Sequence, residues 1–280
     1  MVQHFSPTPG VTLAYTVTGT GPGLVCLPGL GAGRDSFRDV EVACRDRRTV
    51  LRFDPRGIGE SSATGDMATA FEWPDLAADA ETLIAHVAAA HPDFLPCDLV
   101  GMSFGGVLAQ LLAYRQPTLV RHLTLVSTSH RKTPYGVRSN GLIQLLVDRT
   151  PPDVFGETIG LLLFSPDFLD SNPGLKGLRQ DAVTMPERPD GRPEPGGAGC
   201  EGRYRPAFRR MAALGGTMPE AFDHLFPLPP SQVTAVVGTQ DQIVSPQGRA
   251  SVLELAGEQV VLEGAGHVIG ELARLISERL

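Results

Sequence analysis

Apolar and polar positions repeat along this chain with two different periods, and the switches between them lay out a series of elements. Thr12 to Thr18 alternates like a half-buried strand, and Gly19-Thr20-Gly21-Pro22-Gly23 turns the chain. Leu24–Leu27 and Thr49–Phe53 are short, mostly apolar runs ended by Pro28-Gly29-Leu30-Gly31 and Asp54-Pro55-Arg56-Gly57, which predicts two buried strands. From Trp73 to Ala90 the period becomes helical: Leu76, Ala80, Leu83, Ile84 and Val87 share one face, and Pro74 suits the first turn. Cys97–Val100 predicts a strand, Val107–Tyr114 a helix without a breaker before Pro117, and Leu123–Val126 another strand. Strands alternating with helices imply right-handed βαβ units, hence an α/β fold with a mostly parallel central sheet and helices on both faces.

The alternation lapses after about Ser127. Residues 130–225 hold helical stretches, Leu142–Val147 and Phe155–Phe164 among them, but no clear strand. The Pro-, Gly- and charge-rich stretch from Met185 to Gly197 predicts a mobile loop. The sheet pattern resumes with Thr234–Gly238, a helix over Gln247–Leu255, a strand at Gln259–Leu262 and a last helix from Gly270 to Leu280. The expected organisation is a core of residues 1–129 and 226–280, with residues 130–225 inserted as a helical cap or lid over the sheet's active edge. No internal repeat is visible.

Composition narrows the function classes. A chain of 280 residues with 42% hydrophobic and 20% charged residues suits one large globular domain. A net charge of −7 disfavours a binder of nucleic acid or of an anionic membrane, both of which call for basic patches. No apolar run reaches the length of a membrane span, and the N-terminus lacks the basic-then-apolar pattern of a secretory leader. Cys26, Cys44, Cys97 and Cys200 are widely spaced without a C-x-x-C, which argues against a disulfide framework or zinc site and suggests a cytoplasmic setting.

The chemistry centres on Gly101-Met102-Ser103-Phe104-Gly105, which fits G-x-S-x-G, a serine on a tight strand-to-helix turn. In a chain with 32 Gly chance supplies roughly 0.2 such matches, so context decides, and here a strand precedes the motif and a helix follows it. Serine needs a base within hydrogen-bond reach and the base needs an orienting acid. In this architecture they follow in the order acid, then His, at the carboxyl ends of late strands. Asp241 follows the strand at Val236, and His267 follows the strand at Val261. His86, His91, His122 and His224 sit in unsuitable places, His130 opens the inserted block and is expected to touch substrate, and Asp98, Asp148 and Asp223 end no late strand. The oxyanion of an acyl transfer needs two aimed N–H groups. The amide of Phe104, at a helix start, is one candidate, and that of Leu30, in the loop after the Leu24–Leu27 strand, is the other. Met102 and Phe104 flank the serine as apolar wall, while the Leu161–Phe164 run either lines a pocket, through Leu161 and Phe164, or packs onto the core.

With five motifs in order, the chain resembles the α/β-hydrolase family, of the type with one domain and a helical cap. The motifs are Leu27-Pro28-Gly29-Leu30-Gly31, Asp54-Pro55-Arg56-Gly57-Ile58-Gly59-Glu60-Ser61, the Ser103 elbow, Asp241 with Val244-Ser245-Pro246, and Gly264-Ala265-Gly266-His267. Where many members carry His-Gly, this chain has Pro28-Gly29. The resemblance implies Ser103 as nucleophile, His267 as base, Asp241 as orienting acid, Leu30 and Phe104 as the oxyanion hole, and a structural part for Asp54–Ser61. Within the family the chain is similar to enol-lactonases, aclacinomycin-type methylesterases and cofactor-free haloperoxidase/esterases, several of which serve secondary metabolism. That implies a serine hydrolase of esters or lactones of a hydrophobic small molecule, with no metal or organic cofactor. The alternatives are a non-hydrolytic enzyme on the same fold (acyltransferase, lyase or cyclase) and a binding protein on a retired scaffold, for fold does not fix function.

Overall fold

A computed structural model describes residues 1–65, 70–172 and 201–279. The predicted loop at Met185–Gly197 and Cys200 lie outside the described residues. Among those described, one nine-stranded sheet organises the chain. Its strands are β1 (Gln3–Thr8), β2 (Val11–Thr18), β3 (Gly23–Leu27), β4 (Thr49–Phe53), β5 (Ser62–Ala63), β6 (Cys97–Met102), β7 (Val120–Val126), β8 (Val233–Gly238) and β9 (Glu258–Leu262). The spatial order is β1-β2-β4-β3-β6-β7-β8-β9, with β5 paired to β2. β1, β2 and β4 are antiparallel neighbours, and from β4 through β9 the pairing is parallel. All carboxyl ends of the parallel strands therefore open on one edge.

Both faces of the parallel part are covered, which is why β3, β4, β6 and β8 read as continuous apolar runs rather than as alternating ones. Val25, Leu51, Leu99, Leu123, Ala235 and Val237 point to one face, against α2 (Trp73–Ala90) and α3 (Phe104–Arg115). Leu24, Cys26, Val50, Val100, Val126 and Val236 point to the other, against α1 (Arg38–Cys44) and α9 (Leu272–Arg279). α2 occupies the span that its sequence predicts. Glu72 and Asp75 cap its start reciprocally, Pro74 lies in the first turn, and Leu76, Ala80, Leu83, Ile84 and Val87 are buried.

Between β7 and β8, which pair directly, the chain builds α4 (Pro134–Arg149), α5 (Pro152–Leu163), α6 (Pro166–Ser171) and α7 (Glu201–Gly215). Ile143, Val147, Phe155, Ile159, Phe208 and Ala212 give these helices an apolar cluster of their own, and Leu30 packs both there and on the main core. The chain then returns through β8, α8 (Pro246–Leu253), β9 and α9. Among the described residues no helix is long and apolar enough to cross a membrane.

Candidate active site

The turn between β6 and α3 is held under backbone strain. Ser103 has φ 53° and ψ −117°, a region that side-chain-bearing residues seldom enter. Its N–H donates to the Val126 carbonyl (2.8 Å), and its own carbonyl accepts from the Thr128 hydroxyl (2.8 Å). The end of β7 thus fixes the peptide units on both sides of the serine. The surrounding glycines are where packing leaves no room for a side chain. A Cβ on Gly101 would run into the Gly105 carbonyl and Gly106, and one on Gly105 would strike the carbonyls of Leu27 and Pro28. The elbow is therefore pressed against the loop that follows β3.

That loop lies across from the serine. A Cβ built on Gly29 would stand 3.6 Å from the Ser103 Cβ and 3.7 Å from the Met102 Cε, and the Ala32 N–H closes a turn onto the Gly29 carbonyl (3.1 Å). Leu30 sits within this turn. The Phe104 amide is in the first turn of α3, where helix geometry supplies no intrahelical acceptor. The loop's far end is anchored by Asp54, whose carboxylate accepts from the Arg34 amide (2.7 Å), the Glu60 amide (2.9 Å) and the Arg34 guanidinium, which also pairs with Glu60. Burial pushes the Asp54 carboxyl above its ordinary range against the pull of Arg34. The Asp54–Ser61 motif is a brace for the loop, as the sequence implied.

The ends of β8 and β9 bring Asp241 and His267 together. His267 Nδ1 lies 2.9 Å from Asp241 Oδ2, and both groups are buried, His267 being 2% and Asp241 7% exposed. The other Asp241 oxygen accepts the N–H groups of Ile243 (2.8 Å) and Val244 (2.9 Å). Burial pushes this carboxyl up, but the His267 imidazole and the Val244 and Ile243 amides outweigh it and hold the carboxyl below its ordinary value. An ionised carboxylate only accepts, so the proton of this bond is on Nδ1.

The chain belongs to the alpha/beta hydrolase family. The family matches over residues 24–274, most of the chain, from β3 to the start of α9. Within it, a pimeloyl-[acyl-carrier protein] methyl ester esterase of Chromobacterium violaceum is 38% identical over 121 residues, 43% of this chain and 42% of that protein. Two solved structures share the fold. A thermophilic esterase of Thermogutta terrifontis matches with a TM-score of 0.75 at 20% identity, covering 100% of this chain and 96% of its own. The enol-lactonase of Burkholderia xenovorans LB400 matches with a TM-score of 0.70 at 17% identity, covering 99% and 97%.

Other sequence-predicted site residues of this alpha/beta hydrolase fall in various places. Phe104 is buried with its ring stacked on Trp73 (centroids 4.5 Å apart), and the Trp73 indole N–H donates to Thr217 beyond α7 (3.1 Å). Met102 packs into the layer under α1 and α9, with its terminal methyl beside Gly29. Phe164 lies just past α5, half-buried and stacked on Phe168 (4.9 Å). Leu161, expected to line a pocket or pack inward, does not pack inward: it is 63% exposed on α5, while its neighbours Leu162 and Leu163 do the packing. His130, expected at the substrate, is locked into the scaffold. Its Nδ1 meets Gln110 Oε1 (2.8 Å), and its ring stacks on Phe222 and meets the edge of Phe226. Burial chiefly, with Arg131, lowers its pKa against the opposing pull of Glu254. Trp73 and Arg34 escaped the sequence reading, since neither lies in a motif whose spacing points at the serine.

Proposed function

We propose that this chain is a serine hydrolase that cleaves a carboxylic ester or lactone of a small hydrophobic substrate through an acyl-enzyme on Ser103. The observation that carries the reading is the buried Asp241–His267 hydrogen bond at the ends of β8 and β9, in the sheet whose β6 ends on the strained Ser103 turn. Ser103 Oγ attacks the substrate carbonyl as His267 Nε2 takes its proton. The Nδ1–H bond to Asp241 stabilises the resulting imidazolium. The amides of Leu30 and Phe104 receive the oxyanion, and His267 returns the proton to the leaving alkoxide. A water then repeats the sequence in reverse roles and releases the acid. For a lactone the leaving alkoxide stays on the product chain.

The activities named for the esterase and enol-lactonase relatives agree with an acyl substrate of this class. In this reading residues 130–225 form the cap, with Phe164 on its inner side. The buried thiols of Cys26, Cys44 and Cys97, unpaired among the described residues, support a reducing cytoplasmic setting. The test is turnover of a panel of p-nitrophenyl esters of rising chain length by the parent and by Ser103→Ala. The parent is expected to hydrolyse the shorter apolar esters, and the variant to fall roughly a thousandfold or more with its fold intact. Parent-like rates in Ser103→Ala refute the proposal.

A further inference from the structure

The helices inserted between β7 and β8 reach two loops of the candidate site. They touch the loops of both the candidate acid and the candidate base through main-chain atoms. On the base loop, the Val268 N–H donates to the Leu163 carbonyl at the end of α5 (3.0 Å). One residue before His267, Gly266 lies flush against the same junction. A Cβ there would stand 2.7 Å from the Ser165 nitrogen and 2.9 Å from both the Leu163 oxygen and the Phe164 carbonyl carbon. Ser165 is itself fixed, buried and capping α6 by accepting from the Phe168 N–H (3.3 Å). On the acid loop, the Tyr135 hydroxyl of α4 donates to the Gln242 carbonyl, and the Ser139 hydroxyl of α4 donates to the Ile243 carbonyl (3.3 Å). Ile243 also packs on the apolar cluster of the inserted helices.

The core grips the base loop from the opposite side. The Gln240 N–H donates to the Ala265 carbonyl (2.9 Å), the Gly264 N–H donates to the Thr239 hydroxyl (3.0 Å), and a Cβ on Gly238 would strike the Ala265 and Gly266 carbonyls. The His267 loop is thus clamped between the end of β8 and the α5–α6 junction, and one jaw belongs to the insertion.

We propose that the inserted helices are a positioning scaffold for the Asp241–His267 pair, seating the base loop through Leu163–Ser165 and the acid loop through Tyr135 and Ser139. The proposal rests on the catalytic reading above. Gly266, Ser165, Tyr135 and Ser139 are positioning residues: none is asked to touch substrate. Gly266→Ala wedges the two jaws apart, and Tyr135→Phe combined with Ser139→Ala removes the acid-loop contacts without adding bulk.

The test uses the full chain with p-nitrophenyl acetate, a substrate too small to depend on the inserted helices for binding, and follows amide exchange of residues 263–272 by mass spectrometry. For Gly266→Ala and for the Tyr135→Phe/Ser139→Ala pair, kcat is expected to fall roughly tenfold or more with KM within about twofold, as displacement of a catalytic group by part of an ångström does. Exchange around Val268 is expected to quicken in Gly266→Ala while the strands keep their protection. Should Gly266→Ala fail to fold, the Tyr135/Ser139 pair decides on kcat alone. Parent kcat in the variants, or a loss matched by exchange throughout the sheet, overturns the proposal. His267→Ala separates the two readings. If it abolishes turnover while the positioning variants do not, only the scaffold fails; if it retains turnover, the catalytic reading itself fails.

Discussion

At Asp241 three donors converge on one carboxylate: the His267 ring and the amides of Ile243 and Val244. They hold the acid ionised while orienting the imidazole, so one residue supplies charge, direction and tautomer at once. The lowered pKa has a signed consequence for stability. A carboxyl depressed in the folded state contributes stability that is full above the unfolded value, about 3.9 for Asp. That contribution drains as the pH falls below about 4 and through the folded value. Asp241→Asn does not titrate. The stability gap between parent and variant, measured by denaturant unfolding at a series of pH values, is therefore expected to be largest above about pH 5 and to shrink as the pH drops below 4. A gap that stays constant or widens down to pH 2 contradicts the assignment of that carboxylate as the ionised partner.

At the scale of elements, the β6–Ser103–α3 unit joins strand to helix through a single strained residue. Such a conformation costs on the order of 1–3 kcal/mol and glycine adopts it freely. Ser103→Gly is accordingly expected to raise the unfolding free energy by about 1 kcal/mol while abolishing ester turnover, stability and function pulling in opposite directions at one position. A lower denaturation midpoint would show that the serine's side chain does more for the fold than its backbone costs. This unit was legible in the sequence because its signals are local: a short apolar strand, glycines where backbones touch, and a helix without breakers. α2 was legible to the residue for the same reason. β1 was not, because Gln3–Thr8 forms an edge with mostly exposed or half-buried side chains and shows no apolar stripe. α1 is seven residues long with three acidic or basic side chains, and α7 intersperses its apolar positions with arginines. The fates of His130 and Leu161 depend on neighbours distant in the chain. His130 is captured by Phe222 and Phe226 more than ninety positions away, a contact that no local pattern encodes.

Across the whole molecule, the parallel sheet delivers its chemistry to one edge. β3, β6, β8 and β9 end in the Leu30 loop, Ser103, the Asp241 loop and the His267 loop, and the spatial order of the strands puts Ser103 between the Leu30 loop and the Asp241–His267 pair. The inserted helices are fastened on more than one side. α7 meets the core at Gly57, through Arg210, whose Nε donates to the Phe71 carbonyl (2.7 Å), and near Trp73, which stacks on Phe104. The buried bidentate pair of Arg56 with Asp79 (2.7 and 2.8 Å) braces the same corner. That Ser103, Asp241 and His267 each follow the end of a parallel strand could be read from the chain, because β6, β8 and β9 keep their chain order across the sheet. The anchoring of the insertion could not, since most of its bonds end on backbone carbonyls, which every residue carries. The proposed function turns on one chemical event, a covalent bond between a substrate acyl group and Ser103. Rapid quenching of the protein with a p-nitrophenyl ester, followed by mass spectrometry of its peptides, observes that event most directly. The expected result is a burst of nitrophenol matched by one acyl mass on the peptide carrying Ser103, longer-lived when Asp241 is Asn. Steady turnover with no acylated peptide, or the acyl mass on any other residue, would contradict the mechanism.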